Sequence, residues 1–141
     1  MSSKRILAMA LWTTCTAGVA IPVLAHHSFA MFDQGKEVTL VGTVKEFQWT
    51  NPHAFIHVEV AQGPEAGVWD IELNSPNNLK RQGWKPSSVK PGDKVTLLAN
   101  PLRDMSQHKG GLFIAVTLPD GTVLGDQTRA DRSRPINVPT P

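Results

Sequence analysis

VTLVGTVKEFQWTNPHAFIHVEV, from Val38 to Val60, reads as two β-strands joined at Thr50-Asn51-Pro52. In the first, Val38, Leu40 and Val44 share one face by the period of two, while Phe47 and Trp49 fall on the opposite parity. The face therefore switches near Lys45-Glu46, which a bulge or a strong bend helped by Gly42 would achieve. Asn51-Pro52 is a turn signal. Beyond it, Ala54, Ile56, Val58 and Val60 share one face, and His53, Phe55, His57 and Glu59 take the other. A long first strand that must bend is what a small closed barrel requires.

The chain downstream supplies the rest of such a barrel. Gln62 to Gly67 is a loop, and Val68 to Leu73 is a third strand with Trp69, Ile71 and Leu73 inward. Asp70 and Glu72 alternate with them and read as a solvated face. Ser75-Pro76 opens a short helix, because serine can accept from free backbone N–H groups and proline costs nothing at the first helical position. Gly83 is placed to end that helix in a left-handed conformation, and Trp84 is expected to fold back onto the core. Lys94 to Ala99 and Leu112 to Leu118 are two further strands, the last with Leu112, Ile114, Val116 and Leu118 in phase. Thr122 to Leu124 is a short extended segment. From Asp126 on, DQTRADRSRPINVPTP is polar, rich in proline and without period, so residues 126–141 are expected to form a disordered tail.

Three strands, a short helix and two more strands, with the first strand long, match the OB-like five-stranded Greek-key barrel. The fold class expected is thus all-β with one short helix, and the barrel domain is assigned to residues 38–125. A generic β-sandwich is the competing arrangement. The helix between the third and fourth strands favours the barrel.

The first 25 residues stand apart. Lys4 and Arg5 precede an apolar run from Ile6 to Leu24 that Pro22 interrupts, and Val23-Leu24-Ala25 matches a small-residue cleavage site. This is the layout of a Sec-type secretory signal peptide cleaved after Ala25, which implies a periplasmic or secreted protein with no transmembrane anchor after cleavage. The only cysteine, Cys15, lies in that segment, so no disulfide is expected in the mature chain. The whole chain has 14 Lys and Arg against 12 Asp and Glu. Lys4 and Arg5 account for the excess, and a neutral mature domain lacks the basic footprint that nucleic acid requires. Residues 26–37 are expected to form an ordered N-terminal arm, and Phe47, Trp49 and Phe55 an apolar cluster covered either by that arm, through Phe29, Met31 and Phe32, or by the helix. The alternative use of those three aromatics is an open platform for sugars or bases.

Three motifs together carry a resemblance: AHHSFAMFD (Ala25 to Asp33) after the signal peptide, TNPH (Thr50 to His53) at the first hairpin, and LKRQGW (Leu79 to Trp84) in the helix. The chain resembles a family of small exported bacterial proteins classed as a domain of unknown function. The resemblance spans His26 to about Leu124. It implies export and supplies no reaction.

The histidines are the candidate ligands. Cleavage after Ala25 would leave His26 with a free α-amine and an imidazole Nδ1 on one residue. With one more imidazole, that pair makes a three-nitrogen brace suited to Cu(II). His27, His53, His57 or His108 could supply the third nitrogen, with His27, His53 and His108 the candidates kept, and copper is the candidate cofactor. His53 and His57 are a poor pair, since four residues along a strand span ~13 Å, so His57 reads as a rim residue. No nucleophile elbow, phosphate loop or dinucleotide fingerprint is present. The sequence thus points to an exported, non-catalytic binding or interaction module for an unknown periplasmic protein or small ligand, with a copper-binding protein centred on His26 as the alternative.

Overall fold

A computed structural model describes residues 29–133. The long first strand, β1 (Val38–Gln48), is followed by β2 (Phe55–Val60), β3 (Gly67–Glu72), helix α1 (Pro76–Arg81), β4 (Lys94–Pro101), β5 (Lys109–Thr117), β6 (Val123–Gly125) and helix α2 (Gln127–Ser133). The sheet order is β3-β2-β1-β4-β5-β6, and a further β3–β5 pairing closes the first five strands into a barrel. That closing pair is parallel, Trp69 opposite Lys109 through Glu72 opposite Leu112; the other pairings are antiparallel. This is the OB topology, with the helix between the third and fourth strands.

The bend in β1 lies where the side-chain parity places it. The β1–β2 register shifts between Val44 and Glu46, so the inward face passes from Leu40 and Val44 to Phe47. Upstream of the shift β1 pairs with β4, and downstream it pairs only with β2, so one strand serves both sheets of the barrel. Gly42 sits at the corner. A Cβ there would lie 2.5 Å from the Glu59 carbonyl oxygen, so only glycine lets the strands approach this closely. Ala54, Ile56, Val58, Trp69, Ile71 and Leu73 are all buried, as period two requires.

α1 is held at both ends. Ser75 Oγ accepts from Asn78 N–H at 3.4 Å, and Pro76 is buried at its start. At the other end Gly83 has φ +87°, the Gly83 N–H donates to Lys80 O, and the Trp84 N–H donates to Leu79 O. This is a Schellman closure, and its hydrophobic contact joins buried Leu79 to buried Trp84. The helix stop is therefore also what drops the Trp84 indole into the barrel mouth.

Two expectations are corrected. First, β5 does not keep one phase. The β4–β5 register shifts between Leu98 and Ala99, so Val116 and Phe113 face the main core while Ile114 turns to the other side. There it meets Leu98, Ala115 and Ala130 in a second apolar cluster. Second, the segment after Gly125 is not a featureless tail throughout. Asp126 Oδ1 accepts from Arg129 N–H at 3.1 Å, α2 follows, and Ala130 is buried in that second cluster. Arg129 reaches Glu37 at 2.6 Å and ties the helix to the start of β1. Residues 134–141 lie outside the described residues, as do residues 1–28 with the signal-peptide assignment.

The arm docks through fewer side chains than expected. Phe32 is buried and bridges to Leu102, and the Asp33 N–H donates to Pro101 O at 2.8 Å. Hydrogen bonding to Lys36 holds the Asp33 carboxyl below its usual pKa. Phe29 and Met31 stay exposed, and the ring that packs on Phe47 is Trp84, just after α1. Among the described residues no helix is long and apolar enough to cross a membrane.

Candidate functional site

Two clefts meet at the end of the β2–β3 hairpin, and Glu72 lines both. The hairpin register sets their chemistry. With Val60 opposite Gly67, His57 falls opposite Asp70 and Phe55 opposite Glu72. His57 Nδ1 donates to Asp70 Oδ1 at 2.6 Å, since a carboxylate can only accept. His53, just before β2, brings its Nδ1 to 2.6 Å from Glu72 Oε1. Each histidine thus has its Nδ1 held by a carboxylate, which fixes the ring.

The first cleft measures about 660 Å³ and opens between α1, β5 and β6. Its walls are mostly apolar, from Leu79, Trp84, Phe113 and Leu124. Trp84 stands edge-on to Phe113 with ring centroids 5.4 Å apart and tilts against Phe47 at 6.0 Å. The polar groups are His53, Glu72, Asn74 and Gln82, together with Asp126 at the head of α2. Phe29, at the start of the described chain, lines the same cleft.

The second cleft, of about 210 Å³, lies under the N-terminal arm. It holds His57, Asp70, His108 and Met31, with Gly110 and Gly111 also lining it. Gly111 is required by close approach to backbone, and Gly110 is tight against a side chain. A Cβ on Gly111 would lie 2.9 Å from Asn100 O, and one on Gly110 would lie 2.9 Å from Leu102 Cδ1.

The structure sorts the candidate residues. His53 goes to the first cleft and His108 to the second, so these two candidate third nitrogens do not share a site. His57 is a rim residue, as its parity requires, but it carries a carboxylate partner and lines the same cleft as His108. His26 and His27 lie outside the described residues. Among the described residues no three His, Cys, Asp or Glu side chains converge on a metal position. Phe47 and Trp49 pack edge-to-face at 5.4 Å and join the core through Trp84, while Phe55 stacks on His57. The three aromatics therefore form no continuous platform.

Glu72 is the site-lining residue that alternation alone misreads. Asp70 keeps 40% of its side chain exposed, as a solvated face requires, but Glu72 is only 8% exposed. The reason is the closing pair of the barrel, which lays Leu112 beside Glu72 and leaves that position half roofed. Fixing the hairpin end at Val60–Gly67 would have paired His57 with Asp70 from the sequence.

The family model described as a family of unknown function, DUF6152, matches residues 15–112. The chain belongs to the DUF6152 family. This agrees with the resemblance carried by the AHHSFAMFD, TNPH and LKRQGW motifs, all of which fall within the match. No curated protein matches this DUF6152 chain. Among solved structures it is similar to the mitochondrial single-stranded DNA binding protein from S. cerevisiae, at 10% identity and a TM-score of 0.46. That similarity covers 60% of this chain and 92% of the other.

Proposed function

We propose that this DUF6152 chain is an exported, non-catalytic binding module. Its ligand is a small molecule with an apolar body and a cationic or hydrogen-bond-donating end. The observation that carries this reading is the first cleft. Its size falls in the range of small-molecule sites, ~300–1,000 Å³, and it combines apolar walls with a few convergent polar groups. Glu72 and Asp126 on its lining favour a positive end. The leader-like segment from Lys4 to Ala25 supports export. Glu59, Asp70 and Glu72 on the outer face of β2 and β3 are the wrong charge for a phosphate backbone.

Calorimetric titration with 1-naphthylmethylamine, an aromatic body bearing one ammonium, tests the reading. Saturable binding with a negative heat-capacity change is expected. Leu124→Arg, which places bulk and positive charge in the cleft, should weaken it by about tenfold or more. Val41→Arg, on an exposed residue of β1 away from the cleft, should leave it unchanged. Equal binding by both variants, or none by the parent, would overturn the assignment.

One observation favours a second reading, a copper site built on His26. Phe29 lines the cleft that holds His53, and three residues of chain reach at most ~10 Å. Glu72 would then orient His53 as carboxylate partners orient ligating histidines. Protein with a free His26 amine should bind Cu(II) more tightly than protein with one Met added before His26. Equal affinity would remove this reading and leave the first untouched.

A further inference from the structure

The second cleft is too small for a drug-sized ligand, and its donors are of another kind. Three side chains from separate parts of the chain line it: His57 from β2, His108 from the loop before β5, and Met31 from the arm. From this juxtaposition we infer that the second cleft is a binding site for a soft monovalent metal ion, Cu(I) in the cell. Two imidazoles and one thioether would be its ligands.

The cleft is prepared for such an ion in four respects. His57 is clamped: Asp70 holds Nδ1 at 2.6 Å and the Phe55 ring stacks on the imidazole at 6.3 Å with 16° between planes. Its Nε2 is the nitrogen left to ligate, and the carboxylate behind it orients the ring. Met31 is 44% exposed although its neighbour Phe32 is buried, so the thioether is not consumed by packing. Its backbone is nonetheless pinned, since the Arg103 N–H donates to Met31 O at 2.9 Å and Arg103 Nε donates to Ala30 O at 3.0 Å. His108 stands over Gly110, where a Cβ would come within 3.5 Å of its ring. Finally, Asp70 and Glu72 give the cleft a negative lining that favours a cation.

The donor set decides which cation. Hard ions need several carboxylate or carbonyl oxygens, and Zn(II) takes three or four donors from His, Cys, Asp or Glu. No three such groups converge among the described residues. A thioether as the third donor selects a soft ion, and imidazole is compatible with copper. This site is distinct from the proposed cleft for an organic ligand and needs neither His26 nor His53.

The test uses the full, untagged mature chain and Ag(I) as a redox-inert stand-in, followed by competition with a chromogenic Cu(I) chelator under reducing conditions. One ion per chain is expected. Met31→Leu, His57→Ala and His108→Gln should each weaken binding by more than ~10-fold, and Asp70→Asn by about 10-fold, as loss of an outer-shell partner does. Thermal melting of each variant separates lost ligation from lost fold. Met105→Leu, on an exposed methionine off the cleft, and one Met added before His26 should both leave Ag(I) affinity unchanged. The inference fails if Met31→Leu binds Ag(I) like the parent. It also fails if Zn(II) binds this cleft as tightly and without regard to Met31. Loss on blocking His26, with none on changing His57 or His108, would move the metal to the N-terminus and leave this cleft without a role.

Discussion

Trp84→Ala is expected to lower the stability of the domain by about 3–5 kcal/mol, the usual range for removing a buried large aromatic. Trp84 is 3% exposed and closes the barrel mouth between Phe47 and Phe113. Three effects coincide at this position. The indole fills volume that the flanking rings cannot re-occupy, because each is fixed by its own strand. It is the apolar end of the closure that stops α1. It also forms a wall of the first cleft, so the cavity left behind merges with that cleft. Urea unfolding followed by far-ultraviolet circular dichroism measures the loss. A cost under about 1 kcal/mol would mean that the α1 closure and the aromatic cluster are incidental to the fold.

His53→Ala is expected to cost about 1–3 kcal/mol, because it strips a buried carboxylate of its partner. Glu72 is nearly buried, and its side chain lies between both clefts. Glu72→Gln should cost less, since the amide can still hydrogen-bond to His53 and no charge is left behind. The His57–Asp70 pair gives the contrast. Its Asp70 side chain is 40% exposed, so His57→Ala should cost about 0–1 kcal/mol. A double-mutant cycle on His53 and Glu72 isolates the coupling, expected at about 0.5–3 kcal/mol of stability. A coupling near zero would show that water, and not His53, satisfies Glu72.

The barrel was legible in the sequence because its determinants are local. Alternation in Ala54 to Val60 and in Val68 to Leu73 set two buried faces, and the parity break after Val44 located the bulge of β1. Ser75-Pro76 and Gly83 marked the limits of α1. What escaped depends on register between distant strands. The shift opposite Leu98 turned Ile114 outward and created the surface on which Ala130 docks. The eight residues from Asp126 to Ser133 carry one apolar side chain that matters, too weak a signal without knowing its partner. The same holds for the site. Glu72 looks solvated by alternation, and only the β3–β5 closure shows it roofed. The pairing of His57 with Asp70 follows once the hairpin is in register, whereas the grouping of His57 with His108 and Met31 needs the docked arm.

The central claim is that the first cleft holds the ligand, and its most direct test is residue-resolved. Titrating 1-naphthylmethylamine into ¹⁵N-labelled protein while following the indole N–H resonances of Trp49, Trp69 and Trp84 reports the binding position. The account predicts a saturating shift at Trp84, which lines the cleft. A smaller shift is expected at Trp49, linked to it through Phe47. None is expected at Trp69, whose Nε1 is committed to Glu65 O at 2.8 Å. Equal shifts at all three indoles, or a shift at Trp69 with none at Trp84, would contradict it.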